Sequence, residues 1–284
     1  MPKVGIVTDS TCDTEPTELA ALGVKMVPLT VHFGEQHFRD WIDLRPDEFY
    51  RMLEASDALP TTSQPSPADF TAAYRELATG GCEEIVVVTL SAALSGTYES
   101  AMLAAIDAPV PVRVVDGRRA SQGTALIVQA AVEARDQGMT AEQIEARAVE
   151  VARSSRLFFL LDTLEYLVKG GRAGKATGLA ASLLNIKPVL EVNAEGIIEP
   201  YKKVRGRSQA VAALALHVAE EARERGRLRV ALLHAHIEGE VEELETALTE
   251  AGADVEIVSH GVIGAVIGTY TGPGAVGVAY YPIG

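Results

Sequence analysis

Four consecutive β-branched residues, Ile85-Val86-Val87-Val88, stand in the chain with no polar side chain among them to face water. An unbroken run of this kind suits a strand buried on both faces, as in a parallel sheet covered by helices. The neighbouring segments agree. Residues 4–8 and 112–115 read as further short strands, and residues 25–33 as another that contains one proline. Helical stretches alternate with them, at residues 15–22, 47–54, 67–78, 95–106 and 121–134. Ser66 before Pro67 supplies an N-cap and a first-turn proline, and Thr140 with Gln143 forms a capping box that opens another helix. This alternation predicts an open, mostly parallel α/β sheet with flanking helices over residues 1–155.

Beyond residue 155 the pattern changes. An apolar strand at 157–161 leads into a basic segment punctuated by Gly170, Gly171, Gly174 and Gly178. Segments 187–192 and 197–204 flank Asn193-Ala194-Glu195-Gly196, a hairpin signal. A helix at 207–225, a strand at 228–233, a helix at 240–251 and strands near 255–258 and 275–281 follow. A hairpin and helices on a mixed sheet predict a second, α+β domain over residues 156–284, and a chain of 284 residues is long enough for two domains.

The charge excludes one class of partner. With 39 acidic against 25 basic side chains the formal charge is −14, and a generic nucleic-acid binder needs the opposite. The exception is local: residues 169–207 hold eight basic residues against Glu191, Glu195 and Glu199, a balance of +5. No apolar run approaches the ~18 residues of a membrane span. The N-terminus enters a strand-like segment directly, without a signal-peptide layout, and Cys12 and Cys82 are too few for a disulfide framework or metal cluster. These features predict a cytoplasmic protein with reduced thiols.

Three hydroxyl-rich loops occupy positions where α/β sheets bind ligands: Asp9-Ser10-Thr11, Thr61-Thr62-Ser63-Gln64-Pro65, and the segment from Ser91 to Thr97. Hydroxyls together with amides around Ser95-Gly96 suit a carboxylate or phosphate, although helix capping accounts equally well for any one loop. Gly268-Thr269-Tyr270-Thr271-Gly272-Pro273-Gly274 reads as a tight loop able to bring its backbone close to a ligand. Ser95 as a nucleophile would need a base. The histidines at 32, 37, 217, 234, 236 and 260 show no triad order, and the surroundings are not a G-x-S-x-G elbow. His234 and His236 share a strand face but have no third ligand near in sequence, so a structural role is favoured over a metal site. Asp40 and Asp43 beside Trp41 form either an acid pair or a turn. With no G-x-G-x-x-G and no Walker A loop, the chain has no evident nucleotide chemistry of its own.

V-T-D-S-T at 7–11, T-S-Q-P at 62–65, L-S-G-T-Y at 94–98, K-G-G-R at 169–172, I-K-P at 186–188 and G-T-Y-T-G-P-G at 268–274 together resemble the DegV family, end to end and in order. That family includes the fatty-acid-binding subunits of bacterial fatty acid kinase. The resemblance implies a non-catalytic carrier that holds one long-chain fatty acid between two domains, with no other cofactor and no metal. It implies a separate ATP-dependent kinase that phosphorylates the bound acid for phospholipid metabolism, and transient contact with a membrane surface. It places the carboxylate against Thr62, Ser95 and the Gly96 amide, with Ser63, Thr97 and Thr271 beside them. A histidine usual in the last motif is replaced by Tyr270, which offers a hydrogen bond but no positive charge. Arg172 and Arg205 match basic positions near the head group and the kinase-docking face. The residues alone leave open a hydrolase or phosphotransferase centred on Ser95, and a lipid-sensing regulatory protein.

Overall fold

The computed structural model describes residues 3–182, 186–235 and 239–283. The chain opens with β1 (Val4–Asp9), a 3-10 turn at Ser10–Cys12, α1 (Pro16–Ala21) and β2 (Val24–Val27). Next come β3 (Thr30–Phe33), β4 (Gln36–Arg39), α2 (Pro46–Ala55), β5 (Thr61–Ser63) and α3 (Pro67–Thr79). β6 (Glu84–Thr89), α4 (Thr97–Ala105), β7 (Val112–Asp116), α5 (Gln122–Asp136) and α6 (Ala141–Ser154) follow. Then come β8 (Arg156–Leu160), α7 (Glu165–Lys169), a 3-10 stretch at Gly174–Ser182, β9 (Ile186–Val192) and β10 (Ile198–Arg205). The chain closes with α8 (Arg207–Arg225), β11 (Leu228–His234), α9 (Glu240–Glu250), β12 (Val255–Val262), α10 (Ala265–Thr271) and β13 (Val276–Pro282).

The first sheet has the order β2-β1-β6-β7 and is parallel throughout, with Ile85, Val86, Val87 and Val88 all fully buried at its centre. The second has the order β10-β9-β8-β13-β11-β12; β11 and β12 pair in parallel and the other neighbours antiparallel, so it is mixed. The α/β class with a parallel N-terminal and a mixed C-terminal sheet is therefore as the sequence predicts. Helix α5 packs on β1 and β6 of the first sheet and on β11 and β13 of the second. Eleven of its 15 residues are buried, as a helix covered on opposite faces requires. One apolar core consequently includes Ile6 and Val86 from the first sheet and Phe159 and Leu233 from the second. Among the described residues no helix is long and apolar enough to cross a membrane.

Two expectations are corrected. Residues 25–33 are not one strand: β2 ends at Val27, and after Pro28, which has no N–H to give a ladder, β3 joins a separate antiparallel sheet of order β4-β3-β5. Its strands are three or four residues long and largely exposed on β4 and β5, so they lack the periodicity that reveals a strand in sequence. The segment from Gly268 to Gly274 is not a plain loop, because its first four residues continue α10. The Gly268 amide donates to Gly264 O at 2.8 Å, and Gly272 closes the helix on Gly268 O at 2.8 Å. Gly268 serves close packing: a Cβ there would stand 2.5 Å from Phe49 Cε1.

On the far side of the second sheet, half-buried His217 sits between two phenols. Its Nδ1 lies 2.9 Å from Tyr201 Oη and its Nε2 3.2 Å from Tyr280 Oη, with the Phe158 ring 4.5 Å away. Burial lowers its pKa below that of a free imidazole. A depressed histidine pKa means the unfolded chain binds the proton more readily. The stability it contributes is complete above ~6.5 and is lost as pH falls through the folded value. The melting temperature of the natural chain should therefore fall further between pH 7 and 5 than that of His217→Gln. Parallel falls would show that His217 does not contribute to the acid sensitivity.

Candidate functional site

Where the two sheets meet lies a cavity lined by residues from both halves of the chain. Leu157 and Phe159 of β8, Leu233 of β11 and Ile263 and Val266 at α10 contribute to an apolar wall, with Leu29 and Leu90 from the first half of the chain. The polar lining residues, among those described, are Thr62, Ser95, Ser121, Arg172, Tyr270 and Thr271. Thr62, Arg172 and Tyr270 also line an adjoining, more polar cleft with Lys169, Glu165 and Asp57. These three residues are thus the partition between the interior and the outer cleft.

Each is placed by local chemistry. Thr62 lies at the centre of β5, opposite Val31, and its Oγ1 is 2.6 Å from Tyr270 Oη. Tyr270 projects from the end of α10 against Gly170, where a Cβ would come within 2.5 Å of its ring. Gly171 then turns the chain through a left-handed conformation, φ 72°. Arg172 stacks over the Tyr270 ring at 4.8 Å while donating to Gly170 O at 2.9 Å and Leu94 O at 3.3 Å. The K-G-G-R motif is therefore a seat for Tyr270 as much as a source of charge. Ser95 Oγ is 2.9 Å from Thr97 Oγ1. Gln64 of T-S-Q-P ties this loop to β5, donating to Gly96 O and Ser100 Oγ, both at 3.0 Å.

The structure thus brings Thr62, Ser95, Arg172, Tyr270 and Thr271 to one cavity, with Thr97 buried behind Ser95 and Gly96 beneath Gln64. It does not bring Ser63 there. Neighbouring residues of a strand face opposite sides, and Ser63 is exposed with its Oγ 2.6 Å from His32 Nε2. Arg205 is likewise exposed at the end of β10, outside the cavity wall. Much of the basic segment is matched in ion pairs: Lys169 with Glu165, Lys175 with Glu199, and both Lys187 and Arg207 with Asp162. The first hydroxyl-rich loop is structural: Asp9 accepts from the Thr11 and Leu90 amides at 2.9 and 2.8 Å, and Ser10 Oγ accepts from the Leu29 amide at 3.1 Å.

Asp40 and Asp43 are not an acid pair. Asp43 is bound by the Arg39 guanidinium through both oxygens at 2.8 Å, which holds its carboxyl down to about 2. Asp40 is buried, and its Oδ1 accepts from the Ala265 amide at 3.1 Å. Beside it, buried Asp13 accepts through Oδ1 from the Gly264 amide at 2.9 Å and from Trp41 Nε1 at 3.4 Å. Burial pushes Asp40 up to about 7, and burial with the neighbouring Asp40 charge pushes Asp13 well above the usual range. Sequence reasoning missed Asp13 because the D-S-T-C-D segment was informative only for its hydroxyls, and the Gly264 amide it accepts from lies 251 positions away.

The histidines with known partners lie elsewhere. His32 meets His37 at 2.6 Å, His217 meets its two tyrosines, and His260 meets Glu245 at 3.1 Å. His236 lies outside the described residues. Among the described residues no group of three or more His, Cys, Asp or Glu could hold a metal.

Two sheets thus close on a largely apolar cavity, with Thr62, Arg172 and Tyr270 at its partition from the outer cleft, in an α/β protein. The chain belongs to the DegV family, whose model, described as "Uncharacterised protein, DegV family", matches residues 3–283. It is 39% identical over 280 residues to a DegV domain-containing protein of Deinococcus radiodurans, covering 99% of each chain. It is 36% identical over 281 residues to a protein of Thermotoga maritima named a fatty acid-binding protein, covering 97% of this chain and 96% of the other. A solved DegV family protein from Thermus thermophilus, described for its fatty acid binding, superposes with a TM-score of 0.93 at 36% identity over the whole of both chains.

Proposed function

We propose that this chain binds one long-chain fatty acid, with its tail in the apolar cavity and its carboxylate at Thr62, Ser95, Tyr270 and Arg172. The observation that carries the reading is the segregation of the cavity: apolar within, with Thr62, Arg172 and Tyr270 shared with the outer cleft. The family's fatty-acid-binding members support it. At ~0.8 kcal/mol per buried CH₂, a tail of about 16 carbons gives roughly 10 kcal/mol of gross burial. Each hydrogen bond to the charged head group adds only about 1.5–3 kcal/mol. The tail thus sets affinity and the polar residues set orientation.

The finer reading is that the carboxylate is presented through the outer cleft to a separate ATP-dependent kinase, and that the chain carries the acyl phosphate onward in the cytoplasm, touching a membrane surface to exchange it. Exposed Arg205, with Lys202 and Lys203 on β10, belongs in this reading to the docking face rather than to the head group. Units 1–155 and 156–284 serve as the two halves that enclose the ligand, a division supported by the distribution of strands between the sheets.

Solvent extraction of the purified protein and mass spectrometry test the first reading: about one fatty acid per chain is expected, and an empty extract overturns it. Adding ATP with and without a kinase subunit tests the second, with acyl phosphate expected only when both are present. Ser95→Ala and Thr62→Ala should lower acyl-phosphate yield by about tenfold or more while lipid content stays within twofold, since each removes one polar contact and no tail contact. Equal losses of yield and lipid would refute that division between head group and tail. Tyr270→Phe should behave in the same way but less severely, because Thr62 remains.

A further inference from the structure

We propose that Asp13 and Asp40 are positioning residues for the partition of the cavity: they fasten the start of α10 and thereby fix the Tyr270 phenol against Thr62. The proposal rests on reading that partition as the head-group end, but not on the identity of the ligand.

Two buried carboxyls from distant parts of the chain converge on consecutive amides. Asp13 follows the 3-10 turn after β1 and takes the Gly264 amide at 2.9 Å; Asp40 follows β4 and takes the Ala265 amide at 3.1 Å. Both supports are themselves held. The Asp40 amide donates to Leu29 O at 2.9 Å, and the Trp41 indole donates to Asp13. Asp13 and Trp41 both take left-handed backbone, φ 52° and 65°, a conformation that non-glycine residues keep only where their surroundings enforce it. Gly264 has no room for a side chain, because a Cβ would run into the Trp41 indole and Asp13 Oδ1.

The helix so fastened has seven residues, too few to hold its own shape or place without tertiary contacts. Its flank rests on Phe49 through Gly268, and Tyr50 Oη donates to Ile263 O at 3.2 Å. Those contacts locate the helix sideways. The carboxyl–amide bonds locate its start, from which Tyr270 lies roughly 7 Å along the axis at ~1.5 Å per residue. The Tyr270–Thr62 bond is 2.6 Å long, and a displacement of about 1 Å is enough to abolish a hydrogen bond of that length. Neither aspartate lines the cavity, so their effect on the partition passes through α10.

Fluorotyrosine labelling with ¹⁹F NMR tests the proposal on the full-length chain. The chain has eight tyrosines, and Tyr270→Phe identifies the signal of interest by its loss. Asp40→Ala should shift or broaden the Tyr270 signal, while Asp40→Asn, which keeps an oxygen to accept the Ala265 amide, should return it to its original position. Thr140→Ala removes a helix cap on α6 and controls for general destabilisation, so it should leave the signal in place. If Asp40→Ala does not fold, Asp13→Ala, which retains the Ala265 bond, carries the same test with Asp13→Asn as its rescue. A Tyr270 signal unmoved in the folded alanine variant, or moved equally by Thr140→Ala, overturns the proposal. The readout needs neither lipid nor kinase. An empty extract would therefore sink the fatty-acid reading and leave this one standing, and an unmoved signal would do the reverse.

Discussion

If the proposed function holds, Ala275→Phe is expected to strip the purified protein of bound fatty acid. Ala275 lies just before β13, is 1% exposed and lines the cavity, so a benzyl group there competes for the volume assigned to the tail. Overpacking costs the fold about 1–3 kcal/mol, which a chain of this size can survive. The cost to binding is larger. Excluding half of the tail removes about 5 kcal/mol of gross burial. At about 1.4 kcal/mol per tenfold, that is more than three orders of magnitude in affinity. Mass spectrometry of the extract should find less than about a tenth of the natural load, with a circular dichroism spectrum unchanged. A full load in the folded variant would place the tail somewhere other than this cavity.

Arg119→Met is expected to produce the largest loss of stability of any single substitution considered. Arg119 is 1% exposed and follows β7, between the two sheets. Its guanidinium donates to Asn193 O at 2.9 Å, Arg118 O at 2.6 Å, Ser155 O at 2.5 Å and Ser155 Oγ at 3.1 Å. It therefore ties the first sheet to the start of β8 and to the tip of the β9–β10 hairpin. Burial, with Arg156 and Arg118 nearby, lowers its pKa to about 10, so it stays charged at neutral pH. Methionine replaces the stem but removes these bonds, leaving Asn193 O the Gly196 amide at 3.0 Å and Ser155 O the Arg156 Nη1 at 3.4 Å; hydrogen bonds to a charged group are worth about 1.5–3 kcal/mol each. A net loss of about 3 kcal/mol is expected, which lowers the melting temperature by roughly 6–12 °C for a chain of this size. Arg119→Lys should recover only part of this, since an ammonium cannot span separated acceptors as a planar guanidinium does. A drop of less than ~2 °C for Arg119→Met would show that the tie is dispensable.

What could be read from the sequence was what is decided locally. The N-cap at Ser66 and the capping box of Thr140 with Gln143 are both formed, because their partners lie within one turn. The hairpin at Asn193 is held by the asparagine's own Oδ1, which accepts from Glu195 and Ile197 amides at 3.0 Å. Thr62, Ser95 and Tyr270 stood out as members of motifs, and all three line one cavity. What escaped was what depends on distant contacts. Glycine at 268 reads as a turn until Phe49 is seen to press on it, and glycine at 170 reads as mere punctuation of a basic segment until the Tyr270 ring is seen to occupy the place of a side chain. Ser63 sits in the same motif as Thr62, but strand alternation sends it outward, and Arg205 is exposed at the end of β10. The basic segment looked like a patch because the acids that match Lys169, Lys187 and Arg207 lie outside it in sequence.

The cavity takes its wall from both sheets, so whatever fills it becomes a detachable piece of the hydrophobic interior. If the proposed fatty acid occupies it, the bound molecule adds cohesion between the sheets that the polypeptide alone does not supply. Through linkage, cargo held at a hundred times its dissociation constant adds about 2.7 kcal/mol to the folded state. Under the proposed function, thermal stability therefore becomes a direct gauge of how much of the population holds its ligand.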